Sequence, residues 1–150
     1  MVTLYIVRGV SGSGKTTLAR KWAEELNCRY FEADMYFERD GGYVFHPKWL
    51  PQAHEWCFAK VKEEMRVGRD VIVSNTFTRA WEMKNYLDLA LGEDAKVRIV
   101  TCRGRYQNTH GLSEEMVAKQ VARFQSNLEI GNELKYDAKQ LSKVVFSNHG

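Results

Sequence analysis

Gly9-Val10-Ser11-Gly12-Ser13-Gly14-Lys15-Thr16 is the stretch whose reading decides the fold. It fits the pattern G-x-x-x-x-G-K-[ST], and the segments on either side supply the context that pattern needs. Before it, Thr3 to Val7 is a short apolar, β-branched run; after it, Leu18, Trp22 and Leu26 recur at helical spacing with Ala19 and Ala23 beside them. A strand, a glycine-rich loop and a helix in that order form a phosphate cradle. The glycines let consecutive backbone N–H groups turn onto phosphate oxygens without a Cβ in the way, and the helix presents its positive end to the same anion. Lys15 adds a point charge between β- and γ-phosphates, and the Thr16 hydroxyl ligates Mg²⁺. The expected cofactors are therefore ATP and Mg²⁺, with Gly9, Ser11, Gly12, Ser13, Gly14, Lys15, Thr16 and Thr17 as the contacts.

Outward from the loop, the pattern of strand followed by helix repeats. Arg29 to Ala33 reads as a second strand ending in Asp34, and Asp40-Gly41-Gly42 is a turn between Tyr36-Phe37 and Tyr43-Val44-Phe45. From Pro47, the positions Trp49, Ala53, Trp56, Cys57, Val61 and Met65 predict a long helix that stops before Gly68. Asp70 to Val73 reads as a buried parallel strand, Ala80 to Leu91 as a helix, and Val97 to Val100 as a fourth strand. Ser113 is an N-cap with Glu114 and Glu115 in the first turn, and Val117, Val121, Phe124 and Leu128 make one apolar face. Lys143 to Phe146 is a candidate last strand. This alternation predicts a three-layer α/β domain, with a parallel sheet of four or five strands and helices on both faces.

Composition bounds the answer further. The 150 residues carry 22 Lys+Arg against 19 Asp+Glu, a formal net charge of +3, with 44% hydrophobic and 27% charged residues, which is ordinary for a globular domain. Only two prolines occur and no low-complexity segment divides the chain, so residues 1–150 read as one domain. Cys28, Cys57 and Cys102 lie far apart without a C-x-x-C, which suggests neither a disulfide framework nor zinc and fits a reducing cytoplasm. No run approaches the roughly 20 apolar residues of a bilayer span, and no leader pattern opens the chain, so neither membrane insertion nor secretion is expected. A net +3 is too small to demand a nucleic acid; that claim has to rest on charge distribution.

What happens to the γ-phosphate depends on other residues. Asp34 stands at a strand end, where parallel sheets bind ligands, and that placement suits a base; the alternative is an Asp capping the next turn. Ser74-Asn75-Thr76 ends the strand where many such loops are followed by an aspartate. Asn75 can hold a metal-bound water, or the trio is a plain turn; in either case more acidity has to come from Asp34. Between Ala95 and Ser113 there is no acid and there are four cations, of which Arg103 and Arg105 follow the strand end. They suit a lid at about residues 103–112 closing over ATP, with guanidinium donors for the transferring phosphoryl group, or else a solvated loop. Lys119 and Arg123, one helical turn apart, either meet acceptor phosphate or adenine or form a charged surface. Trp22, Trp49, Trp56 and Trp81 sit on helical stripes and read as core. Tyr36, Phe37, Tyr43 and Phe45 flank the glycine turn, where they either pack locally or stack on an acceptor base, and His54 either makes a local hydrogen bond or contacts the acceptor.

These residues together resemble the polynucleotide-kinase-like group of P-loop kinases and ATPases. Asp34-Met35-Tyr36-Phe37 is similar to its D-D-Y-F element. Tyr43-Val44-Phe45, Leu50 and Ala53-His54-Glu55-Trp56 resemble its Y-x-F...L-x-x-A-H-x-W stretch. Ser74-Asn75-Thr76 with Trp81-Glu82-Met83-Lys84-Asn85-Tyr86 resembles D-N-T-N...W-E-M-x-x-Y, and Asn108-Thr109-His110-Gly111-Leu112 resembles N-x-H-G-V. The resemblance implies a P-loop kinase fold in which Asp34 is the base and the γ-phosphoryl of ATP moves to a hydroxyl, foremost the 5′-hydroxyl of a nucleic acid. A hydroxymethylated base, a nucleoside, a sugar nucleotide or a slow regulatory ATPase are the alternatives. The chain departs from the pattern at Met35, Ser74, Phe77 and Gln107. No N-K-x-D guanine reader is present, which leans toward ATP.

Overall fold

The computed structural model describes residues 1–39, 41–104 and 113–149, with all their side chains except those of residues 39 and 128. Among them, five strands form one sheet: β1 (Thr3–Arg8), β2 (Arg29–Phe31), β5 (Val71–Asn75), β6 (Lys96–Cys102) and β7 (Val144–His149), in the order β2-β5-β1-β6-β7. Every neighbouring pair is parallel. β3 (Glu38–Arg39) and β4 (Gly42–Tyr43) pair antiparallel as a small hairpin outside the sheet.

Register decides which side chain goes to which face. Leu4 lies opposite Val71 and Val97, and Ile6 opposite Val73 and Ile99. These six are fully buried on the face covered by α2 (Leu50–Arg66) and α3 (Ala80–Gly92), through Ala53, Cys57, Val61, Met83 and Leu87. Tyr5, Val7, Ile72 and Val100 point the other way, onto Leu18 and Ala19 of α1 (Lys15–Leu26). Central strands buried on both faces show continuous apolar runs, which is why Val71-Ile72-Val73 has no polar alternation. The sandwich of helix, sheet and helix is the three-layer α/β arrangement expected, with five strands. No helix among the described residues is long and apolar enough to cross a membrane.

Several local expectations are corrected. The second strand stops at Phe31, and Ala33–Phe37 is a 3₁₀ turn that starts at Glu32. The apolar face over Val117, Val121, Phe124 and Leu128 predicts one helix, yet α4 (Glu114–Arg123) ends at Phe124 and α5 (Asn127–Glu133) restarts behind a Ser126 capping box. Gln125 explains the break: it is buried, its backbone N–H donates to the Thr78 C=O at 2.7 Å, and its side-chain oxygen accepts from the Ala80 N–H at 2.7 Å. These two bonds and a third, from Arg8 to the Gln125 C=O, take the place of one further turn of helix, and Val121 is left 58% exposed. A short α6 (Ala138–Leu141) precedes β7. Trp22 packs edge-on against Tyr5, and Trp56 against Phe31, but Trp49 and Trp81 are exposed rather than core.

A buried cation was not anticipated. Arg8, at the end of β1, has no exposed surface. Its Nε donates to the Phe77 C=O at 3.0 Å, Nη1 to Thr101 Oγ1 and Asn127 Oδ1, and Nη2 to the Gln125 C=O at 2.7 Å and the Thr78 C=O. The guanidinium also lies 3.9 Å from the centre of the Phe124 ring. Burial draws its pKa down to about 10, against the pull of Glu82 and Glu129, so the charge persists at neutral pH.

Candidate functional site

The loop between β1 and α1 owes its shape to three glycines. Gly12 and Gly14 have φ of 82° and 92°, a left-handed backbone that side chains disfavour. Gly9 is needed for space instead: a Cβ there would meet Ser13 Oγ at 2.2 Å and the Cys102 carbonyl oxygen at 3.0 Å. The Gly9 N–H donates to the Thr76 C=O at 3.2 Å, tying the loop to the end of β5. Lys15 opens α1 and is 8% exposed. Burial lowers its pKa, while the charges of Glu32 and Asp34 pull it back up.

The carboxylates arrive through the turn after β2. Glu32 accepts a hydrogen bond from Thr16 Oγ1 at 3.1 Å. Asn75, at the end of β5, accepts from the Ala33 N–H at 2.9 Å through Oδ1, so its oxygen holds the turn that carries Glu32 and Asp34. Tyr43 donates its hydroxyl to Asp34 Oδ1 at 3.0 Å. Burial and then the Asp34 charge push the phenol up to about 12, so it is a donor throughout the neutral range. A cleft of about 360 Å³ opens here, with Ser11, Lys15, Glu32, Asp34, Ser74 and Asn75 on its polar side. Tyr43, Phe45, Leu50 and Met116 are its apolar lining, and His54 and Gln120 also line it. A more open cleft of about 520 Å³ lies at the opposite ends of the strands, against Cys28, Arg29, Glu64 and Asp70. Parallel sheets bind ligands at the carboxyl ends of their strands, which is where the loop stands, so the smaller cleft is the candidate site.

The expected residues distribute as follows. Ser11, Lys15, Asp34 and Asn75 share the cleft, and Thr16 adjoins it through Glu32. Thr17 is exposed on the first turn of α1. Arg103 is exposed just past β6, where its backbone N–H donates to the His149 C=O at 2.9 Å. Arg105, Gln107 and the 108–112 motif, with most of the expected lid, lie outside the described residues. Lys119 pairs with Glu115 at 3.8 Å along its own helix. Arg123, expected to touch nucleotide, pairs with Glu82 at 3.4 Å and is absent from the cleft lining. The α4 residue that reaches the loop is Gln120, three positions earlier, whose Oε1 accepts the Ser11 N–H at 2.8 Å. His54 is exposed and lines the cleft. Sequence reasoning missed Glu32, Gln120 and the Tyr43 hydroxyl. For Glu32 a signal existed: it stands two residues before Asp34, so a turn starting at Glu32 brings both acids to one side.

The donor set suits Mg²⁺ with a nucleotide triphosphate. Mg²⁺ is usually held by one or two carboxylates or hydroxyls together with substrate phosphates, rather than by an all-protein cage. Thr16 and Glu32 supply that pair, and no cluster of three or more His, Cys, Asp or Glu occurs among the described residues. Ser13 Oγ beside the loop and Ser74 Oγ in the cleft are buried without a protein partner, and the Ser11 N–H is satisfied by a side chain that a phosphate oxygen can replace.

Comparison with known proteins adds the following. Residues 4–107 match the model of the AAA_33 family, an AAA domain. Human NEDD4-binding protein 2 is 32% identical over an alignment 136 residues long that covers 83% of this chain but 8% of that protein, so the chain corresponds to a small part of this relative. Kti12 of Chaetomium thermophilum, solved with ADP-AlF3, is similar with a TM-score of 0.67 at 14% identity, covering 95% of this chain and 87% of its own. A mutant of the APS kinase CysC of Mycobacterium tuberculosis is similar with a TM-score of 0.55 at 15% identity, covering 81% and 96% respectively. At such identities the likeness to the solved structures is one of fold.

Proposed function

Because the chain belongs to the AAA_33 family of AAA domains and has the fold of P-loop kinases, we propose that it transfers the γ-phosphoryl group of ATP to a hydroxyl, the 5′-hydroxyl of a nucleic acid. The observation that carries the reading is the convergence of Lys15, Glu32 and Asp34 in one cleft at the mouth of the phosphate loop. A hydrolytic switch has no need of a second carboxylate facing an open cavity; a transferase does, to orient the acceptor.

Each residue then has a task. The loop N–H groups and Lys15 hold the β- and γ-phosphates, and Thr16 with Glu32 would hold Mg²⁺, which when bound neutralises charge on those phosphates. Asp34 accepts the hydrogen bond of the acceptor hydroxyl and aims its oxygen at the γ-phosphorus. The new P–O bond forms as the bond from the γ-phosphorus to the bridging oxygen breaks, ADP departs, and the hydroxyl proton passes to Asp34. An ordinary carboxylate is a weak base, but in a loose transition state that proton leaves late, so a weak base is adequate. Arg103 and Arg105 are the proposed donors to the transferring group. Glu32 supplies the acid that Ser74 and Met35 lack, which favours transfer over a slow regulatory ATPase.

The test is single-turnover transfer of labelled γ-phosphate to 5′-hydroxyl DNA and RNA, a hydroxymethylated-base DNA, a nucleoside and a sugar nucleotide. Label on the 5′ end supports the reading; label on another acceptor, or release as inorganic phosphate alone, sinks it. Asp34→Asn keeps the shape and one acceptor oxygen but cannot take the proton. We expect it to retain Mg-ATP binding while transfer falls by about two powers of ten or more. Normal transfer by this variant would return Asp34 to a turn-capping role.

A further inference from the structure

The apolar side of the cleft has no part in the chemistry above. Tyr43 and Phe45 stand two residues apart and are each 47% exposed. Both rest on Phe37, which has no exposed surface: the ring centroids are 6.1 Å apart at 68° for Tyr43 and 5.1 Å apart at 64° for Phe45. The backbone between them is fixed by the Val44 N–H, which donates to the Phe37 C=O at 2.8 Å. Two rings are thus anchored on a buried third while roughly half of each stays in water. Leu50 of α2 lines the same cleft.

The ledge begins at the reacting end, because the Tyr43 hydroxyl is bonded to Asp34. It continues along the chain into His46 and Trp49, stacked with centroids 4.4 Å apart, with Lys48 exposed in the same turn. A cleft that is acidic and phosphate-binding on one side and aromatic on the other fits an acceptor with a hydroxyl at one end and a flat apolar ring beyond it. A sugar alone would leave the rings wet. A nucleotide presents a ring with two π-faces, and Lys48 offers a cation to the phosphodiester that follows.

We propose that Tyr43, Phe45 and Leu50 form a stacking subsite for the nucleobase of the acceptor's 5′-terminal nucleotide, in single-stranded form and without base preference. This rests on the reading of the cleft as a nucleic-acid phosphotransfer site, and it adds the part of the acceptor that is gripped. Stacking on a single aromatic is sequence-tolerant and contributes about one order of magnitude in affinity per base.

The experiment uses the full chain with Mg²⁺ and a non-hydrolysable ATP analogue. Fluorescence anisotropy gives the Kd of a 3′-labelled single-stranded DNA heptamer with a 5′-hydroxyl, either intact or abasic at its first residue. Phe45→Ala should weaken binding of the intact strand about tenfold and leave the abasic strand unchanged, Phe45→Trp should restore binding, and analogue affinity should stay constant. Leu50→Ala should show the same base dependence if Phe45→Ala lowers thermal stability. Equal loss on both strands, no loss on either, or no binding of the strand by the wild-type chain overturns the subsite. Base-dependent binding without transfer of label leaves the subsite standing and removes the phosphotransfer reading; transfer without base dependence does the reverse.

Discussion

Glu32 and Asp34 are separated by one alanine and have different partners. Glu32 is hydrogen-bonded to the hydroxyl of Thr16, which belongs to the phosphate loop and its helix, whereas Asp34 is bonded to the phenol of Tyr43, which belongs to the apolar side of the cleft. Under the proposed function the first would serve the nucleotide and the second the acceptor. Glu32→Gln tests the division, because the amide oxygen can still accept from Thr16 while the charge is lost. We expect transfer to fall at least tenfold and the Mg²⁺ concentration for half-maximal rate to rise, with little change in nucleotide affinity in the presence of a chelator. A titration of rate against Mg²⁺ reads this directly; an unaltered Mg²⁺ requirement would assign Glu32 to shaping the loop only. The loop itself was fully legible in the sequence, since glycine spacing and the Lys-Thr pair are chemical necessities of phosphate binding. Glu32 was legible only through its spacing from Asp34, and that spacing points to the cleft only once the strand is seen to stop at Phe31 and the turn to start at Glu32.

At the scale of elements, strands and helices were legible wherever burial gives a period, and illegible where a single polar contact overrides it. β1 and β5 show unbroken apolar runs because both faces of the sheet are covered there, and β6 joins them from Ile99 after Lys96 and Arg98 have alternated outward. The end of α4 is the counter-example: apolar spacing continues past it, but the bonds of Gln125 end it there. That glutamine also supplies what α3 lacks. Arg79 stands at its N-cap without a side-chain cap bond, and the Ala80 N–H instead finds Gln125 Oε1. Gln125→Leu fills the same space and strands that buried donor, so it should destabilise the fold by about 1–3 kcal/mol. Urea unfolding followed by circular dichroism measures this, and a change below about 0.5 kcal/mol would show that another group takes over the cap. The exposed Trp49 and Trp81 make a related point, since helical periodicity marks a stripe but does not say whether anything covers it.

Across the whole molecule, β1 ends where three otherwise separate parts meet: the phosphate loop, the turn after β5, and the α4–α5 junction. Gln120 brings α4 onto the loop by taking the Ser11 N–H that a phosphate oxygen would use. Removing a competing acceptor should help the ligand, so Gln120→Ala is expected to tighten ATP binding about two- to tenfold, the worth of one ordinary net hydrogen bond. Isothermal titration checks it, and weaker binding would mean that Gln120 contacts nucleotide directly. The layered architecture was predictable because βαβ alternation admits few arrangements. The convergence at Arg8 was not, because nothing in a strand residue's neighbours along the chain announces partners 69, 93, 117 and 119 positions away. Those separations set the order of events when the chain folds. The guanidinium is fully satisfied only once loops spanning most of the chain have closed, so we expect its bonds to form late, after the rate-limiting barrier. Arg8→Met should therefore leave the refolding limb of a stopped-flow chevron nearly unmoved and raise the unfolding rate on the order of a hundredfold, making Arg8 the latch that keeps the finished molecule from opening.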